Sequence, residues 1–149
     1  MNSIYLHPGQ IFVALEPATV TTILGSCVSV CLWDSARGIG GINHYLLPTG
    51  VAGGSNGTRY GNVAIEHLVE KLAKAGTQTG HLNAKLFGGA CVLAAMRNGS
   101  THLGSKNVEI ANEYLSKLGI PVITSDVGGD RGRKLIFHPH DGTAFIRHL

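Results

Sequence analysis

A chain of 149 residues, 44% hydrophobic and only 14% charged, can bury a substantial core and is too apolar to stay disordered. Twelve Lys and Arg against nine Asp and Glu leave a net charge of +3, mild and dispersed, which excludes the concentrated basic footprint of a nucleic-acid binder. No run reaches the length of a membrane span, and the apolar stretch 11–15 is too short for the core of an export signal, so neither membrane insertion nor secretion is expected.

Read in chain order, residues 19–24 are rich in β-branched side chains and predict a strand that stops at Gly25. Residues 28–33 and 39–47 predict two more strands around a turn at 34–38. A glycine-, serine- and threonine-rich loop fills 48–61. The helix predicted over 62–75 carries Ile65, Leu68, Val69 and Leu72 on one face and stops at Gly76. A short strand over 84–87 runs into Gly88-Gly89. Ser105 is placed to cap a second helix through about Leu118, with Val108, Ala111, Leu115 and Leu118 facing inward. Strands over 122–125, 134–137 and 143–148 close the chain, the last two joined at His140-Asp141-Gly142. No repeat or linker divides the sequence, so residues 1–149 are expected to form one domain. Strands cluster first and helices follow, which points to an α+β class: a single-domain layered α/β sandwich of mixed or antiparallel strands flanked by helices.

The three cysteines, Cys27, Cys31 and Cys91, are odd in number and lack metal-type CxxC spacing, so they are expected as reduced thiols in a cytoplasmic chain. Cys27 stands where a strand ends at Leu24-Gly25-Ser26 and the next begins. At such a bend a thiol can project freely, with backbone N–H groups near it for an oxyanion. A nucleophile also needs a base. With Asp34 to Arg37 as a four-residue loop, Trp33 faces Gly38 and Cys27 falls directly opposite His44. Spacing alone leaves a second reading open, in which Cys27 is a small buried hydrophobe and His44 a hydrogen-bonded core histidine. Cys31, on the same strand face as Cys27, and Cys91 are read as packing. His138-Pro139-His140 lacks a third ligand and reads as a turn.

Five ordered motifs carry a resemblance. Thr21 through Leu32, containing Leu24-Gly25-Ser26-Cys27, and Gly38 through Pro48, containing Asn43-His44, resemble the signature of the chemoreceptor glutamine deamidase family CheD. Arg59-Tyr60-Gly61, Lys85-Leu86-Phe87-Gly88-Gly89-Ala90, and Asp126 through Lys134 continue it. Leu103-Gly104-Ser105-Lys106-Asn107 is similar to the family's isoleucine-glycine-x-arginine-asparagine run, departing at Leu103 and Lys106. The resemblance implies Cys27 as nucleophile, His44 as catalytic histidine and Thr21 as the threonine that completes the triad. A thiolate–imidazolium pair of Cys27 and His44 would then attack a glutamine side chain without any cofactor. Ser26, Gly25 and Asn43 are the expected substrate or oxyanion supports. Arg131 and Arg133, in the flexible run before Lys134, are expected contacts for an acidic partner or substrate. Methyl-accepting chemoreceptors are the implied substrate and a CheC-type phosphatase a second partner. The alternative is a chemotaxis interaction module that docks without catalysing.

Overall fold

The computed structural model describes residues 1–93 and 102–149. Within these, the strands are β1 (Asn2–Tyr5), β2 (Ile11–Ala14), β3 (Ala18–Leu24), β4 (Val28–Asp34), β5 (Ile39–Asn43), β6 (Asn83–Gly88), β7 (Val122–Val127), β8 (Arg133–His138) and β9 (Thr143–His148). The α-helices are α1 (Gly61–Lys74) and α2 (Leu103–Leu118), and a 3-10 turn over Gly54–Arg59 leads into α1. The strands form two mixed sheets, one of order β1-β3-β8-β9 and one of order β2-β5-β4-β6-β7.

Burial along β4 explains how the layers stack. A strand with one wet face alternates, yet all seven residues of β4 are buried, so both of its faces are covered. Val28, Val30 and Leu32 pack with Ala84 and Leu86 against Ile65, Leu68 and Leu72 of α1 and Ala111 and Leu115 of α2. Cys31 and Trp33 look the other way, into a second core with Val20, Leu24, Leu135 and Phe137 of the four-stranded sheet. The result is a layered α+β fold with the helices on one side of the five-stranded sheet and the second sheet on the other. The outer face of the four-stranded sheet carries no helix among the described residues.

Several local expectations change. β1 and β2, four residues each, were not foreseen; β1 pairs parallel with β3 and β2 antiparallel with β5, where pairing rather than an alternating pattern decides the strand. The strand expected over 39–47 stops at Asn43. Helix α2 is capped by His102 instead of Ser105: the His102 ring accepts the Ser105 N–H at 3.1 Å. Leu118 turns outward, while Asn107 and Ile110 take the inner face.

The β4–β5 hairpin closes one residue later than expected. Asp34 pairs with Ile39 around the turn 35–38, so Trp33 faces Gly40 and Cys31 faces Ile42. The same register returns beyond the strand end, where Val28 pairs with Tyr45. His44 therefore lies across from Ser29, one diagonal step from Cys27. A slip of one residue would have sent His44 to the opposite face; a slip of two keeps it on the face of Cys27.

Candidate active site

Leu24 ends β3 and Val28 begins β4, leaving Gly25, Ser26 and Cys27 to cross from one sheet to the other. All three carbonyls of this elbow are held. Gly25 O accepts the Ala90 N–H and Cys27 O the Gly89 N–H, each at 2.9 Å. Ser26 O accepts the Asn107 side-chain amide, also at 2.9 Å. In a trans peptide the N–H points away from the preceding carbonyl, so pinned carbonyls fix where the elbow's N–H groups point. Among the described residues, no backbone carbonyl takes the N–H of Ser26 or Cys27. The glycine motif after β6 makes this approach feasible. Gly88 has φ 109°, and a Cβ there would fall 2.2 Å from Cys27 O, a contact only glycine allows.

His44 is 2% exposed and lies between the sheets. Its backbone leaves the β4 ladder: His44 N–H goes to Gln10 O at 3.2 Å, and His44 O accepts from Gly9 at 2.7 Å. Asn43 opens that ladder, because its Oδ1 takes the Val30 N–H at 2.8 Å where a backbone carbonyl would otherwise sit. The His44 Nδ1 lies 2.7 Å from the Thr22 hydroxyl, which is also 2.7 Å from Leu6 O. A hydroxyl has one proton. Thr22 gives it to Leu6 O, which has none to give, and so accepts from His44 Nδ1–H. That network assigns the tautomer and leaves the Nε2 lone pair bare. Nε2 is buried and has no hydrogen-bond partner among the described residues.

Burial sets the charge state of both groups. It depresses His44 to about 4, with the cationic form of His7 pushing the same way, so the imidazole is neutral over most of the pH range. Burial also pushes the Cys27 thiol above its ordinary value; its own N–H and the Arg59 guanidinium pull the other way without cancelling the effect. Both shifts favour the neutral thiol and the neutral imidazole in the empty site. A pH profile follows from the sign of the shift. For a base at Nε2, which protonation would remove, kcat/KM should hold as pH falls through 6.5, the ordinary imidazole value, and collapse only near 4. An NMR titration of the His44 ring with its midpoint near 6.5 would contradict the burial argument.

Comparison with known proteins adds identity to this geometry. The family model described as CheD chemotactic sensory transduction matches residues 46–148. A probable chemoreceptor glutamine deamidase CheD 1 of Anaeromyxobacter dehalogenans is 51% identical over 98% of this chain and 84% of its own. The corresponding protein of Sulfurimonas denitrificans is 41% identical over 97% of this chain and 93% of its own. The chain belongs to the CheD family. A solved structure of a hypothetical protein, YfiH, from Bacillus licheniformis shares the fold: TM-score 0.51, 18% identity, 78% of this chain and 49% of that one.

Against the CheD expectations, the threonine moves by one. Alternation along β3 buries Ala18, Val20, Thr22 and Leu24 and turns Thr21 to the outer face, where it pairs with Ile136. Thr22, not Thr21, meets the imidazole. Thr22→Val is expected to lower kcat/KM roughly 10–100-fold by freeing the tautomer, with Thr21→Val within about twofold of the parent. Equal losses in the two variants would remove Thr22 from the site.

Cys27 and His44 share a face but are diagonal neighbours, a Cβ separation of roughly 7 Å or somewhat less. Gly25, expected as a substrate or oxyanion support, has no positive φ, and a Cβ there meets nothing within 4 Å. Its carbonyl is the useful group. Asn43 serves the strand ladder. Arg131 is exposed and donates to Leu149 O at 2.7 Å. Arg133 is no surface contact at all: it is buried against Asp126, Gly128 O and Gly88 O. Cys31 and Cys91 are buried, as packing requires. Among the described residues, His138 and His140 join no group of three metal-type side chains.

Sequence reasoning passed over Thr22, Asn107, Arg59 and His7. Arg59 is tied to the site by its carbonyl, which takes the Leu46 and Leu47 N–H groups at 2.9 and 3.1 Å. Its neighbour Thr58 bonds Gly9 O at 2.7 Å. The only signal for Arg59 was its place at the head of a family motif.

Proposed function

We propose that this chain is a protein-glutamine deamidase that converts glutamine side chains of methyl-accepting chemoreceptors to glutamate, with Cys27 as nucleophile, His44 as base and Thr22 holding the base. The observation that carries this is a buried imidazole whose Nδ1 is held by Thr22 and whose Nε2 has no hydrogen-bond partner among the described residues, on a residue that the strand register puts one diagonal step from Cys27. The names of the relatives, chemoreceptor glutamine deamidases along nearly the whole chain, support the same reaction and substrate.

His44 Nε2 takes the Cys27 proton as sulfur bonds to the glutamine side-chain carbon, and the carbonyl electron pair moves onto oxygen. That oxyanion faces the N–H groups of Ser26 and Cys27. On collapse the C–N bond breaks, and the imidazolium returns its proton to the departing ammonia. Water then gives a proton to the same nitrogen and adds to the thioester; the sulfur leaves and takes that proton back from the imidazolium, and the product acid ionises to a carboxylate. Glutamine and water have become glutamate and ammonia, with no cofactor in any step. The Cys27–His44 hydrogen bond forms when substrate is in place, since such bonds are often long in an empty site.

The reaction belongs in the cytoplasm, where the signalling helices of chemoreceptors lie. Family membership also supports a CheC-type phosphatase as second partner. The test is to incubate the chain with a chemoreceptor fragment and follow ammonia release together with the mass change of amide to acid at glutamine. A fragment that keeps its mass while the chain remains folded would overturn the activity.

A further inference from the structure

Asn107 is fully buried on α2, and its Nδ2 spends both hydrogens on the site, one on Ser26 O and one on Leu46 O, each at 2.9 Å. The opposite amide orientation would set Oδ1 against two carbonyl oxygens, so the assignment is forced. One side chain thus ties the elbow carrying Cys27 to the segment two residues beyond His44. The tie is itself held from below, because the Tyr45 hydroxyl donates to the Asn107 carbonyl. Helix α2 is pressed close enough for this reach by its own glycine: a Cβ at Gly104 would lie 2.3 Å from Gly89 O and 2.5 Å from Ala90 O.

We propose that Asn107 is a positioning residue which, by gripping the Ser26 carbonyl, aims the Cys27 N–H at the developing oxyanion. The two groups belong to one planar peptide unit and point in opposite directions, so holding the first orients the second. Ala90 does the same for the neighbouring unit through Gly25 O. The grip on Leu46 keeps the base at a fixed distance while the oxyanion forms. This inference rests on Cys27 being the nucleophile.

Two reactions of the same sulfur separate this role from simple support of the fold. Deamidation passes through an oxyanion, whereas alkylation of Cys27 by iodoacetamide develops none there. Asn107→Ala and the equal-sized Asn107→Asp, which sets a carboxylate against both carbonyls, should each lower kcat/KM for a chemoreceptor fragment about 10²–10³-fold. Alkylation of Cys27 should stay within about twofold of the parent rate in both. Asn107→Leu, which keeps nearly the same volume and buries no charge, guards against loss of the fold through the cavity that alanine leaves and should lose deamidation in the same way. Deamidation within about threefold of the parent in any folded variant would overturn the proposal. So would alkylation falling in step with deamidation, which marks general disorder of the site. Failure of the underlying reading shows elsewhere, as parent-level deamidation by Cys27→Ala.

Discussion

Cys27→Ala is expected to lower chemoreceptor deamidation by a factor on the order of 10⁴ or more, and His44→Ala to do nearly as much. The two act as a unit. Without the sulfur no thioester forms, and the imidazole has nothing to deprotonate that attacks the amide. Without the imidazole the thiol, pushed above its ordinary value by burial, stays protonated at neutral pH. The double variant should therefore be no worse than either single one. Neither remaining thiol can substitute: Cys31 is wholly buried in the inter-sheet core, and Cys91 lies beyond the Gly88-Gly89 turn. Cys27 is half-buried, so its loss should leave melting nearly unchanged, and a folded but silent variant is the informative outcome. Ammonia release with glutamine mass on the same fragment measures it. Turnover surviving in Cys27→Ala would remove the nucleophile from the account.

The parts of this site that were legible in sequence are those fixed by strand parity. Strand residues two apart share a face, so the hairpin count put Cys27 and His44 together even though its register was wrong by two. An error of one in the turn would have been fatal, and only the closing pair Asp34–Ile39 decides it. The same parity argument, applied to β3, would have chosen Thr22: Ala18, Val20 and Leu24 share its face, while Ile23, the apolar residue beside it, is exposed at 42% and blurs the alternation. β1 and β2 could not be read because neither alternates: β1 is exposed apart from half-buried Ile4, and β2 is half-buried up to Ala14. Asn107 stood in a family motif, but its role was hidden for a different reason. Its partners are 81 and 61 residues away, and nothing local says that a helix asparagine will meet them.

Arg133→Met should cost about 3 kcal/mol of stability, the lower end for breaking a buried ion pair, since the partner Asp126 is partly wet and regains water. In a chain of this length that is a fall of roughly 10 °C in Tm. The Arg133 side chain is 3% exposed and makes three bonds: Nε to Asp126 at 2.8 Å, and its two terminal nitrogens to Gly128 O at 2.8 Å and Gly88 O at 3.4 Å. Methionine fills the volume but takes a donor from Gly128 O, which is only part-buried, and from Gly88 O, which keeps the Gly128 N–H at 2.9 Å, so the carbonyls add about 1–3 kcal/mol at most between them. Arg133→Lys should rescue little, because an ammonium on a flexible stem cannot reproduce a planar three-way fork. Arg131→Ala, which loses two exposed bonds to the His148 and Leu149 carbonyls, should stay within about 0.5 kcal/mol of the parent. The cost reaches the active site by one further step. Gly88, whose carbonyl Arg133 holds, carries the Gly89 N–H that pins Cys27 O. Deamidation in Arg133→Met should consequently fall at temperatures well below its melting point, as the Gly88 turn loosens before the sheets separate. Urea unfolding and activity measured across the same temperatures would expose that order, and activity tracking the folded fraction throughout would show that the turn and the sheets come apart together.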